Sequence, residues 1–288
     1  MSAHGMVTAS RRGVPSGGWL ALLPASVLAA ILLYPLALMT GQAFRTQAGK
    51  ISLGPAAAMV ASRVFRSALF HTVEIALTAT ALCLVLGLAL ALLFSLAPFR
   101  GGRALGRMID SYLAFPSFLI ALSLTFLYGN AGLVTAVLAR LFGAAPHAAS
   151  FLYGFWGVVL AEVTFYTPFV MRPLLAGLES LDRAQVDVAS SLGAAPARVI
   201  ALVVLPALLP SLLAGGSLCL LLTLNEFGIM LVMGAKSVIT LPLLIYGEAI
   251  QQFDYAGAAV VGLCDIALSL GLYALYRASL ARLGAVRA

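Results

Sequence analysis

Apolar positions are not spaced along this chain in the periods of a soluble domain. They gather into six long, nearly uncharged runs, at residues 19–40, 71–96, 111–139, 150–171, 206–233 and 255–276. About 20 apolar residues cross the hydrocarbon core of a bilayer as a helix, so each run predicts a transmembrane helix. The third run exceeds that need and contains Pro116 and the stretch Gly129-Asn130-Ala131-Gly132. It is expected to tilt, break or leave the membrane near Tyr128. The pattern therefore predicts an all-α integral membrane protein of about six spans. The tails are residues 1–18 and 278–288, residues 41–70 form an extracytoplasmic segment, and a longer polar loop occupies residues 173–205.

Composition agrees: of 288 residues, 62% are hydrophobic and 9% charged, against about 45–50% and about 25% in soluble domains. Arg11 and Arg12 before the first run suggest a cleavable signal, but the run is longer than a signal core and no small-x-small site follows it, so an uncleaved helix is expected. The net charge of +7 is scattered between the runs with no basic stripe, which argues against nucleic acid as a partner. It reads instead as a topology signal. With the N-terminus in the cytoplasm, eleven Lys and Arg fall on that side and six on the other, so both termini are expected inside. Cys83, Cys219 and Cys264 lie in separate apolar runs, and His4, His71 and His147 are far apart. Neither a metal site nor a disulfide framework is expected, and no cofactor.

The loop before the fifth run is strongly patterned. Ser180-Leu181-Asp182 resembles a helix start, with Ser180 able to cap and Asp182 favoured near the positive end of the helix dipole. Leu181, Val188, Ala189 and Leu192 then share one face. Gly193 stands where a helix ends on a residue of positive φ, and Pro196 where the next begins. The segment predicts a helix, a sharp turn and a second helix running into the membrane, a form suited to passing force from a docked partner into the bilayer.

These residues resemble the permease subunits of binding-protein-dependent ABC importers. That family carries Glu-Ala-Ala, three residues, Gly, nine residues, Ile, one residue, Leu-Pro in this loop. Here Asp187-Val188-Ala189 is followed by Gly193, Val203 and Leu205-Pro206 at the same spacings. Asp187, Val188 and Val203 depart from the motif conservatively. The resemblance implies a MetI-like permease core over residues 71–277, preceded by one additional span, in a bacterial inner membrane. It also implies that the loop couples to cytoplasmic ABC ATPase subunits. A periplasmic solute-binding protein and a second permease subunit, copy or paralogue, are the other implied partners. The chain has no Gly-x-x-x-x-Gly-Lys-Ser/Thr phosphate loop, so ATP hydrolysis is assigned to another subunit and the chain is not expected to be an enzyme.

Ionisable groups within spans cost about 2.5–3.5 kcal/mol at mid-depth on insertion scales. Glu162 and Asp265 are read as groups packed inside the bundle. Asn225 and Glu226, with Gly228 beside them, are the candidate solute path. The segments Thr240-Leu241-Pro242 and Phe253-Asp254-Tyr255-Ala256 resemble the family branch serving polyamines, ferric iron, thiamine and 2-aminoethylphosphonate. Glu226-Phe227-Gly228 with Gly234-Ala235-Lys236 and Leu241-Pro242 looks most like the 2-aminoethylphosphonate type. An ATP-independent secondary transporter would also account for carboxylates in the spans, but not for the loop.

Overall fold

A computed structural model describes residues 18–45, 50–96, 101–129, 132–142, 151–233 and 238–285. Residues 1–17, the stretch 234–237 that holds Lys236, and the last three residues lie outside them. In chain order the helices are α1 (Gly18–Ala43), α2 (Gly54–Ala61), α3 (Arg63–Leu96), α4 (Gly102–Tyr112), α5 (Phe118–Tyr128), α6 (Leu133–Phe142) and α7 (Phe155–Glu179). They continue as α8 (Arg183–Ser191), α9 (Pro196–Val199), α10 (Leu205–Ala207), α11 (Leu209–Leu224), α12 (Gly228–Met233), α13 (Leu241–Tyr246) and α14 (Tyr255–Ala285). Single π-helical turns join α9 to α10 and extend α13. Among the described residues the only β pairing is the isolated bridge between Arg45 and Ile51.

Among the described residues five segments are long and apolar enough to cross a membrane, the third of them made of α5 and α6, and six spans result if the pair 196–207 and 209–224, bent by 68°, is one span. The ends differ from those expected. The 34-residue α3 begins at Arg63 rather than at residue 71, because Ser62 Oγ accepts the Phe65 N–H at its first turn and nothing between Arg63 and Phe70 breaks a helix. Among its described residues, segment 41–70 holds the end of α1, the Arg45–Ile51 bridge, α2 and the start of α3. Helix α7 runs past residue 171 to Glu179, through Pro168 and Pro173. Arg172 does not end it, since its guanidinium reaches the Gly106 carbonyl of α4 at 3.5 Å. Seven residues assigned to the loop from 173 onwards are therefore membrane helix. Helix α14 continues into the expected tail, to Ala285. The third run breaks where its Gly-rich stretch foretold: α5 stops at Gly129, in extended conformation. Pro116 sits in the turn before α5.

Helix α7 is the centre of the bundle and α1 its periphery: 61% of the apolar window of α7 is buried and none of that of α1. Close approach of α7 to both neighbours depends on glycine. A Cβ on Gly87 of α3 would stand 3.0 Å from the Val170 side chain, and one on Gly215 of α11 would stand 3.1 Å from the Val170 backbone. Val170 is thus gripped from two sides, and Thr80 and Thr223 add a hydrogen bond of 3.4 Å between α3 and α11. Small residues at such contacts let backbones pack closely where lipid gives no hydrophobic drive. Helix α14 is fixed to α11 by the Tyr276 hydroxyl, which donates to the Leu212 carbonyl at 3.0 Å.

Gly87→Val and Gly215→Val should each lower the thermal stability of the solubilised protein, by about 1–3 kcal/mol for overpacking. Gly271→Val, in open space, should not. Equal melting of all three variants would show that the Val170 contact is not tight.

Candidate functional site

The loop is a compact device of four bonds. Asp182 precedes α8, and its carboxylate accepts the Ala184 N–H at 3.0 Å. The cap is therefore Asp182 and not Ser180, which instead closes α7 by donating its hydroxyl to the Gly177 carbonyl. At the far end, Leu192, Gly193 and Ala194 donate to the carbonyls of Val188, Ser190 and Ala189. The last of these closes a wide turn that only a left-handed residue permits. Gly193 takes φ +82°. A Cβ there would meet nothing within 4 Å, so the constraint at Gly193 is purely one of backbone conformation. Pro196 opens α9 after an extended Ala195.

The face of α8 is not the one expected. Leu181 lies before the cap and, with Val186, packs partly on the main core. Val188 and Leu192 are 59% and 83% exposed, two apolar side chains held out from a polar loop. Asp187 is exposed and Ala189 half-buried. From Val199 the chain is continuously helical through Val203, Leu205 and Pro206 to a bend at the buried Leu208. Pro206 and Pro210 each withdraw a backbone donor there, which permits the π turn and the bend. Gly177 of α7 closes against this corner, where an added Cβ would lie 2.9 Å from Leu208.

Helix α11 stops at Leu224, and the chain restarts as α12 at Gly228. Between them Asn225 and Glu226 turn to opposite sides. Asn225 is exposed, and its amide donates to the Leu221 carbonyl at 2.9 Å and to Ser269 of α14 at 3.2 Å. Glu226 is only 6% exposed. Its carboxylate accepts the Ile229 N–H at 2.8 Å and the Ser117 hydroxyl at 3.0 Å. The Tyr166 hydroxyl donates to the other oxygen. One side chain thereby satisfies a backbone donor freed by the helix break and fastens that break to α7 and to the turn before α5. Glu162, four residues before Tyr166 on α7, is 1% exposed, and Asp265 of α14 is likewise buried; among the described residues one oxygen of each has no partner. Asn225 and Glu226, expected on the solute path, and the loop residues lie at opposite ends of α11.

Ser117 and Tyr166 were not singled out by the sequence reading. The available signal was a polar run, Thr164 to Thr167, inside an apolar segment, but their partner lies 109 and 60 residues away.

Replacing Tyr166 by Phe keeps the ring against Phe165 and Phe169 and deletes one bond to a carboxylate, so stability should fall by about 1.5–3 kcal/mol. Thr164→Val, whose hydroxyl bonds only within its own helix, is the control. Indistinguishable melting of the two variants would mean that the Tyr166 bond contributes nothing.

The family of binding-protein-dependent transport system inner membrane components matches residues 83–284. A protein of Salmonella choleraesuis, PhnU, provisionally named as a 2-aminoethylphosphonate transport system permease, is 50% identical over 92% of this chain and 93% of its own. The sulfate transport permease CysT of Synechococcus elongatus is 29% identical over 69% of this chain and 70% of its own. Among solved structures, a bacterial ABC transporter that imports the acidic polysaccharide alginate superposes with a TM-score of 0.75. It is 18% identical and covers 92% of this chain and 94% of that one.

Proposed function

We propose, for a chain that belongs to the family of binding-protein-dependent transport system inner membrane components, that it is the permease subunit of an ATP-driven importer of 2-aminoethylphosphonate. It is a multi-pass membrane protein and a transport component, with no enzymatic role. The solute assignment is supported by the half-identical relative named for that compound. The chemistry is consistent: 2-aminoethylphosphonate carries an ammonium, and the polar groups at the α11 break, Asn225 and Glu226, can receive one.

The observation that carries the coupling role is the left-handed turn at Gly193, which joins an exposed apolar helix face to a continuous helical path into the membrane. In this reading α8 docks on a cytoplasmic ATPase through Val188 and Leu192, with Asp187 at the edge of the contact. The Gly193 turn fixes the angle between α8 and α9, and Val203, Leu205 and Pro206 carry the motion through the bend to α11. Helix α11 is about 24 Å long at 1.5 Å per residue and ends at the Glu226 cluster. Two ATPase subunits, a second permease subunit and a periplasmic binding protein complete the assembly. The loop and both termini lie in the cytoplasm, as the distribution of arginines favours.

Exposing the Glu226 carboxylate to solute requires the bonds from Ser117 and Tyr166 to be exchanged. Movement of α11 is what would loosen them. Burial in the present conformation and a role on the path are compatible on that basis.

Gly193→Val imposes about 1–2 kcal/mol of left-handed strain without touching a span. The variant should reach the membrane, yet loaded binding protein should no longer stimulate ATP hydrolysis by the reconstituted complex. Undiminished stimulation would remove the coupling role. Glu226→Gln should lower uptake at normal protein levels, and normal uptake would strike it from the path. Reporter fusions after Arg198 and after Lys236 should report opposite sides of the membrane.

A further inference from the structure

A cavity near the ends of the helices belongs neither to the loop nor to the Glu226 cluster. It measures about 740 Å³ and lies between α2, the segment from α13 through its π turn, and the first turns of α3 and α14. Its position along the bundle follows from contacts already described. Gly177 of α7 meets α11 near the loop, whereas Tyr166 meets the far end of α11 at Glu226. Cys83 and Gly87 of α3 lie beside Thr167 and Val170 of α7 in the same order along both chains, so α3 runs parallel to α7 and starts at the far end. The cavity is therefore at the end of the bundle opposite α8.

Its lining has two carboxylates, Glu248 and Asp254, and no Lys or Arg among the described residues. Arg63, between the lining residues Ser62 and Val64, is exposed and not part of it. Glu248 is only 7% exposed. One of its oxygens accepts the Gln252 amide at 3.2 Å, and the other has no partner among the described residues. Asp254 is committed on one oxygen, which caps α14 by accepting the Gly257 N–H at 3.0 Å. Burial, with the charge of Asp254, pushes the Glu248 carboxyl above its ordinary range. An enclosed carboxylate beside a second one is unfavourable until a cation arrives.

Most of the remaining lining is apolar, including Met59 and Leu243. A cavity that pairs two carboxylates with a mainly apolar lining fits a side chain with an aliphatic stem and a cationic head. Phe253, next in the chain to the lining, holds φ +56° and is 70% exposed, an aromatic contact ready beside the socket. We propose that this cavity is a docking socket that receives a Lys or Arg side chain of the binding protein at the outer face of the permease. The proposal rests on the importer reading and on its orientation. The lining holds no residue of α7, α11 or α12, so a partner suits it better than the solute.

The test uses the complete complex in nanodiscs, with ATP hydrolysis measured against the concentration of binding protein loaded with 2-aminoethylphosphonate. Combining Glu248→Gln with Asp254→Asn, which keeps a cap for α14, should raise the half-saturating concentration about tenfold, leave maximal stimulation intact and flatten its dependence on salt. Ala58→Lys places a competing ammonium at the socket with both carboxylates and the Ser62 cap retained, and should raise half-saturation in the same way. An unshifted half-saturating concentration in both variants overturns the socket. So does saturable binding of free 2-aminoethylphosphonate, without binding protein, that is abolished by Glu248→Gln, since the cavity would then be a solute site. Absence of stimulation in the unaltered complex would instead remove the importer reading, and the socket with it.

Discussion

The bond set around Glu226 is the interaction on which the upper half of this molecule depends. A helix that breaks within a bilayer must find partners for the backbone groups it frees, because lipid offers none. At the α11 break the partner of the Ile229 N–H is the Glu226 carboxylate, and the same carboxylate takes hydroxyls from Ser117 and Tyr166. Without it, α12 would lose a tie at its first turn and the far end of α11 would lose its polar tie to α7 and to the turn before α5. A carboxyl group buried at 6% exposure is tolerable only because these bonds are made together.

That arrangement gives α11 two anchored ends of different kinds. At the Leu208 corner the anchor is steric: Gly177 admits α11 so closely that an added Cβ would meet Ser211 and Leu208. At the other end the anchor is polar and exchangeable. Between them Val170 is held by Gly87 and Gly215, which ties α11 closely to α7. Under the proposed coupling role, a displacement imposed at α8 would arrive at the polar end, where bonds can be exchanged without opening the core.

The features written locally in the chain were legible from it, and those made by distant pairing were not. Gly193 and Pro196 announce a stop and a restart because positive φ and a missing N–H are properties of single residues. The helix ends were less legible. Arg63 and Arg172 were left outside the second and fourth runs as charges, but Ser62 caps α3 ahead of Arg63 and Arg172 is received by a carbonyl 66 residues away. Leu208 gave no sign of a 68° bend, which comes from two prolines four residues apart and the corner they pack into. Ser117 and Tyr166 are ordinary in isolation. Only the fold brings them to Glu226.

The account makes the chain one half of a channel driven by ATP and supplied by a binding protein. Its most direct test is uptake of labelled 2-aminoethylphosphonate into proteoliposomes holding this permease with its ATPase and partner subunit. Uptake is expected only with ATP inside and binding protein outside, and excess sulfate should not compete. Uptake that follows an ion gradient with no ATP and no ATPase subunit would contradict the account and establish a secondary transporter.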